Sequence, residues 1–212
     1  YMRERYTPLN TVISVAGNFN ETVLRNLLEK YFGNWPDYTE GSNDTFNAEF
    51  RPGIKIKEKD TEQIHICIGF EGLETGNDKI YPLLAVNNIL GGGMSSKLFQ
   101  KIREKKGLVY SIYSYPTSYI NAGLFTIYAG MKPDNLYEVT SLILDEIRLL
   151  KKKGFTLQEL EKSKEQLKGN YILGLESTSS RMNAIGKSEL LLGYINTQEE
   201  ILQKIDNINM DS

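Results

Sequence analysis

The sequence is poor in the residues that build most hydrolytic centres. Its 212 residues include a single histidine, His65, and a single cysteine, Cys67. A catalytic zinc site needs about three protein ligands, usually with histidines among them. His65 and Cys67 could offer at most two, from one strand face, so no catalytic metal site can be assembled from this chain alone. They read instead as a satisfied core or surface histidine and a small buried hydrophobe. One cysteine also excludes an internal disulfide, which sets a reducing compartment, the cytoplasm, as the expectation. No hydrophobic run approaches the roughly 20 residues of a membrane span, so no membrane partner is expected. The formal net charge is −2 and both signs are mixed along the chain. Without a basic footprint, nucleic acid is not an expected partner. Secretory signal, internal repeat and low-complexity tract are all lacking in what is visible.

Nucleophile motifs are lacking too. There is no Gly-x-Ser-x-Gly elbow, and His65 has no evident triad partner. The run Gly91-Gly92-Gly93 has a superficial likeness to a phosphate loop. It lacks the Gly-Lys-Ser/Thr ending and follows a helix-like stretch rather than a strand, so that reading is rejected. Two readings of the glycines remain: a bare backbone surface or hinge that another chain can approach closely, or a helix C-cap followed by a sharp turn.

What is present is enough apolar residue, 40% of the chain, for one good core, or one domain with a piece of another. Thr11–Ala16 is a short β-branched run that predicts a strand. Asn20 predicts a helix N-cap, with Val23, Leu24, Leu27, Leu28 and Tyr31 at helical spacing before Gly33. The polar stretch 41–52 is the best linker candidate; an ordinary surface loop is the alternative. Ile54 and Ile56 alternate with lysines as a half-exposed strand would. Gln63–Phe70 alternates as well, with Ile64, Ile66 and Ile68 on one face and His65 and Cys67 on the other. Lys79–Leu90 reads as a helix with Pro82 in its first turn. Ser95 predicts the cap of a basic helix, Ser96–Lys106. Leu108–Tyr115 and Ala122–Ala129 read as a hairpin around Ser118–Asn121. Helices are predicted over Asn135–Lys153, over Thr156–Leu175 with a Thr156/Glu159 capping box, over Ser179–Tyr194 and over Gln198–Ile208. Strands and helices are segregated, which predicts an α+β domain: an antiparallel or mixed sheet with helices on one face.

The segment Arg103–Tyr110 carries the most chemistry. Arg103 falls in the basic helix and Tyr110 at the start of the next strand, across a turn at Lys106–Gly107. A guanidinium and a phenol so placed can donate to a peptide carbonyl and stabilise the charge that develops on it. A surface arginine and a strand tyrosine is the bland alternative.

The stretch Leu83–Gly130, from LLAVNNILGGGMSSKLFQKIREKKGLVYSIYS to AGLFTIYAG, resembles the pitrilysin (insulinase) family of zinc peptidases, which includes mitochondrial processing peptidase. Arg5–Asn18 and the helix ending in Tyr31-Phe32-Gly33 resemble the segment leading into that domain. The resemblance implies paired homologous α+β units enclosing a chamber for short unfolded peptides. One unit binds zinc through an inverted His-x-x-Glu-His motif and a distal glutamate. The partner unit contributes an arginine–tyrosine pair, matched here by Arg103 and Tyr110, with Gly91, Gly92 and Gly93 where the family has a glycine-rich stretch near the chamber. The His-x-x-Glu-His motif is absent from this chain. The expectation is therefore a non-metal half. Residues 1–40 would be the tail of the preceding catalytic unit, 41–52 a linker, and 53–212 a second unit stopping short of its last strand. Zinc would belong to the parent protein and not to this chain. The expected partners are a peptide substrate, the N-terminal catalytic unit, and a second copy or a paired homologous subunit. A non-catalytic relative that binds peptides or dimerises with an active subunit is the alternative.

Overall fold

The computed structural model describes residues 6–36 and 48–211. Its elements, in chain order, are α1 (Glu21–Phe32), β1 (Ile64–Glu71), α2 (Ile80–Leu90), a π-helical turn (Phe99–Glu104), β2 (Val109–Tyr119), β3 (Ala122–Met131), α3 (Leu136–Lys153), α4 (Leu157–Gly174), α5 (Thr178–Leu192) and α6 (Gln198–Asp206). The chain divides into two compact units, one of residues 1–46 and 170–198, the other of residues 47–169 and 199–212.

The larger unit is the expected α+β layer. Its three strands lie in the order β1-β3-β2, each pair antiparallel. β1 alternates half-buried and exposed residues along its whole length, the signature of a sheet covered on one face. Ile66, Ile68 and Phe70 of β1 turn inward with Ile112 of β2 and Phe125, Ile127, Ala129 and Met131 of β3. They pack against Leu90 of α2, Leu98 and Ile102 of the π-helical segment, and Val139 and Ile143 of α3. A second cluster joins Ala85 of α2, Leu160 of α4, Ile205 of α6 and Ile208.

The capping box forms as its residue types dictate: Thr156 N–H donates to Glu159 Oε2 at 2.8 Å, and Glu159 N–H to Thr156 Oγ1 at 3.2 Å. The Glu159 carboxylate also pairs with Lys97, on the segment entering the π-helical turn. Partial burial acts to raise this carboxyl. The Lys97 ammonium and the Thr156 donors outweigh it and hold Glu159 below its ordinary value of 4.5. A carboxyl depressed in the fold stabilises it above the unfolded value, and that stabilisation is lost as pH falls through the folded one. Urea titrations between pH 6 and pH 3 are therefore expected to show stability dropping below about pH 4.5. Glu159→Gln is expected to flatten part of that drop.

In the smaller unit, α1 begins where its cap predicts, the Asn20 side chain accepting from Val23 N–H at 3.0 Å. α5 is capped by Ser177 and ends at Gly193, whose φ of 72° suits glycine. None of the buried hydrophobic residues falls within 6–36 or 170–198. Leu9, Val23, Leu27, Tyr31 and Phe32 are exposed.

Two predicted strands do not form. Thr11–Ala16 and the segment around Ile54 and Ile56 are irregular. A strand exists only with a ladder partner, and neither segment has one among the described residues. Ser14 instead donates its hydroxyl to the Met182 carbonyl of α5 at 2.8 Å, while Ile54 and Ile56 stand almost fully exposed. Of the expected linker, residues 41–47 lie outside the described residues, and 48–52 are irregular.

Candidate functional site

The basic helix forms, but with a wider winding than its spacing suggests. Over Phe99–Glu104 it is π-helical, with Lys105 N–H reaching the Gln100 carbonyl at 3.0 Å. Such turns are uncommon and concentrate at functional sites. Ile102 points into the core, fully buried. Arg103 is exposed, its guanidinium carbon 4.8 Å from the centroid of the Phe99 ring. That cation–π contact steadies the side chain without neutralising it, and among the described residues Arg103 has no ion-pair partner.

The helix is closed by Gly107, whose φ of +62° is in the left-handed region and suits glycine. Gly107 N–H bonds to the Arg103 carbonyl at 3.0 Å and Leu108 N–H to the Ile102 carbonyl at 3.2 Å. Asn135 Nδ2 donates to the Leu108 carbonyl at 2.8 Å. The short connection between Arg103 and Tyr110 is thus pinned by three hydrogen bonds. Gly107→Ala, forced to a positive φ, is expected to lower the stability of the chain by about 1 kcal/mol, read as a drop in the urea midpoint.

Tyr110 sits at a second irregularity. Val109 faces Met131 and Ser111 faces Gly130, consecutive residues of β3. Tyr110 is therefore an extra residue with no ladder partner, a β-bulge of the kind that re-aims a side chain. It is 49% exposed. One irregular helical turn and one irregular strand step so present both members of the predicted pair at the surface, at the two ends of one fixed connection.

The glycine run divides by role. Gly91 caps α2 and accepts a hydrogen bond from Ser114 N–H at 3.0 Å. A Cβ on Gly91 would lie 2.5 Å from Ser114 Oγ and 2.7 Å from Ser114 N, so close packing of α2 on β2 requires a glycine there. The Ser114 hydroxyl donates to Asn87 Oδ1 at 2.7 Å, inside the same contact. Gly91 is buried, Gly92 exposed and Gly93 half-buried.

Sequence reasoning missed a row of rings on the uncovered face of the sheet. Tyr115, Tyr113, Tyr128 and His65 follow one another with centroids 5.9, 4.8 and 6.0 Å apart. His65 Nδ1 and Tyr128 Oη are hydrogen-bonded at 2.8 Å. The alternation of Tyr113 and Tyr115 along β2 was a visible signal; the register that sets Tyr128 between Tyr113 and Cys67 was not. Cys67 is exposed on this face, which corrects its reading as a buried hydrophobe. Inward positions of β1 are taken by the isoleucines, and period two leaves Cys67 outside. Among the described residues, no three of His, Cys, Asp or Glu come together in a way that could hold a metal ion. The described residues therefore do not fit a resident zinc.

Comparison with known proteins fixes the family. Residues 1–167 match the Peptidase M16 inactive domain, and the chain belongs to the M16 peptidase family, as the resemblance read from Leu83–Gly130 implied. It is 44% identical, over 211 residues, to the uncharacterized zinc protease YmxG of Bacillus subtilis, with 100% of this chain aligned to 51% of that protein. It is 33% identical to an uncharacterized zinc protease of Streptomyces coelicolor, with 100% of the chain on 48% of that protein. The chain thus spans about half the length of these curated relatives. Among solved structures, a conserved protein from Enterococcus faecalis superposes with a TM-score of 0.76 at 26% identity, over 92% of this chain and 46% of that one. A protease from Helicobacter pylori shares the fold, with a TM-score of 0.74 at 20% identity over 92% of this chain and 49% of that one. No helix among the described residues is long and apolar enough to cross a membrane.

Proposed function

We propose that this chain is the non-metal half of a zinc-dependent endopeptidase acting on short unfolded peptides within a closed chamber. Arg103 and Tyr110 hold a substrate carbonyl and stabilise its developing negative charge. Exposed Gly92 and half-buried Gly93 give the peptide a stretch of accessible backbone, beside Gly91, which sets the seat of α2 on β2. The observation that carries the reading is the presentation of Arg103 by a π-helical turn and of Tyr110 by a β-bulge across one pinned connection. An unpaired guanidinium and a half-exposed phenol are suited to an oxyanion, because both donate hydrogen bonds.

Zinc and the base that activates water belong, in this reading, to a catalytic unit outside the described residues. The names of the relatives, and their double length, support it. So does the smaller unit, whose helices α1 and α5 bury no hydrophobic residue and leave apolar side chains uncovered, as expected of an element that packs against another folded unit. A second copy, or a homologous subunit, completes the enclosure.

The test is cleavage of a diverse pool of quenched fluorescent peptides by the protein as encoded in full, with and without a zinc chelator. Cleavage abolished by the chelator and restored by zinc is expected. Failure to cleave any peptide, with zinc supplied, would assign the chain to a non-catalytic peptide-binding or dimerising subunit.

A further inference from the structure

Arg103 is held differently from the lysines around it. Lys97 pairs with Glu159, Lys101 with Glu146 at 2.8 Å and Lys106 with Glu138 at 2.7 Å. Those glutamates belong to α3 and α4, so the three pairs tie the segment to the helices behind it. Arg103 meets no carboxylate among the described residues. Its guanidinium carbon lies instead over the Phe99 ring, 4.8 Å from the centroid. The two residues are four apart, about one helical turn, and so share a face. Phe99 is half-buried, whereas Arg103 is exposed. The start of the turn is anchored on both sides of Phe99. Leu98 is fully buried, and the Gln100 side-chain amide donates to the Met94 carbonyl at 2.7 Å.

We propose that Phe99 is a positioning residue for peptide cleavage: its ring sets the direction in which Arg103 presents its donors to the substrate carbonyl. The proposal rests on the peptidase reading above. A long exposed side chain samples many rotamers, and ordering it on the substrate costs free energy. A ring beneath the guanidinium reduces that cost by narrowing the rotamers beforehand. A carboxylate could restrain the side chain too, but it would form a charge-assisted, often bidentate pair and take up the N–H donors. A ring face attracts the cation through its quadrupole and leaves those donors to the substrate. The segment thus uses its lysines to fix itself to the fold and keeps its arginine aimed and unpaired.

The experiment uses the protein as encoded in full and a quenched peptide that the wild-type protein cleaves. Phe99→Leu is expected to lower kcat about two- to fivefold, the worth of one exposed cation–π contact. KM should move less, because Arg103 acts on charge that develops in the transition state. Phe99→Met, unbranched and adaptable in packing, is measured beside it as a second ringless variant, with the same expected loss. Phe99→Tyr keeps a ring face and is expected to retain the wild-type kcat. The deciding readout is the double-mutant cycle. In an Arg103→Ala background, removing the ring is expected to change kcat no further, whereas a merely structural role would lower it equally in both backgrounds. If the ringless variants keep the wild-type kcat, or lose as much without Arg103 as with it, the positioning role is overturned while the peptidase reading stands. If the wild-type protein cleaves no peptide in the pool, the peptidase reading is overturned and the positioning role with it.

Discussion

Tyr110→Phe is expected to lower the turnover of peptide cleavage by roughly a hundred- to a thousandfold, the loss of about 2.7–4 kcal/mol of transition-state stabilisation that follows removal of a single oxyanion donor. The substitution deletes one oxygen from a half-exposed ring. It leaves the bulge intact, because the bulge is made by backbone register and not by the hydroxyl. The unfolding midpoint should not move. The loss should fall on kcat more than on KM, since the donor acts on charge that exists chiefly in the transition state. Arg103→Lys is the companion variant. Lysine keeps the positive charge but loses the planar fork and its stacking on Phe99. A partial loss of turnover is expected, smaller than that of Arg103→Ala. Equal activity of Arg103→Lys and wild type would mean that only the charge of Arg103 matters.

Gly91→Ala is expected to destabilise the chain by about 2–3 kcal/mol, the range of an overpacked core contact. The new methyl would meet the backbone nitrogen and the hydroxyl of Ser114 at distances no carbon tolerates. The alternatives are to push α2 off β2 or to break the bond from Ser114 N–H to the Gly91 carbonyl. Gly93→Ala is the control within the same run. Its Cβ would meet nothing nearer than the Gln166 amide at 3.6 Å, an ordinary contact, and a shift within about 0.5 kcal/mol is expected. Urea unfolding of the two variants checks both. Equal effects at the two positions would mean that the glycine run acts as a hinge and not as a packing contact. A Cβ on Gly92 would also be too close to the Asn88 backbone, 2.8 Å from its Cα, so of the three glycines only Gly93 has room for a side chain.

The sequence was most legible where one physical rule acts alone. Periodicity and caps located α1 through α6, because Asn20, the Thr156/Glu159 box and the terminal glycines each satisfy orphan backbone groups locally. Period two placed the isoleucines of β1 inward. It was least legible where a partner decides the outcome. Thr11–Ala16 and Ile54–Ile56 have strand composition but no strand beside them, and composition cannot supply a ladder. The site was half legible. Residue type and spacing pointed to Arg103 and Tyr110, yet the two distortions that present them arise from tertiary fit: Ile102 must reach the core while Gly107 turns the chain into β2. The row from Tyr115 to His65 lies on three strands, with β1 far in sequence from the β2–β3 hairpin, so only the register of the sheet brings it together.

The most direct test of the central claim is contact between Tyr110 and a substrate. Tyr110 is replaced by the photoreactive p-benzoylphenylalanine in the protein as encoded in full, and the protein is irradiated with a labelled peptide that the wild type cleaves. Tyr137, an exposed tyrosine on α3, is replaced in parallel. A covalent adduct at Tyr110, competed away by unlabelled peptide and lacking at Tyr137, is the predicted result. No adduct at Tyr110, or equal labelling at both positions, would contradict a substrate-holding role for this half of the protein.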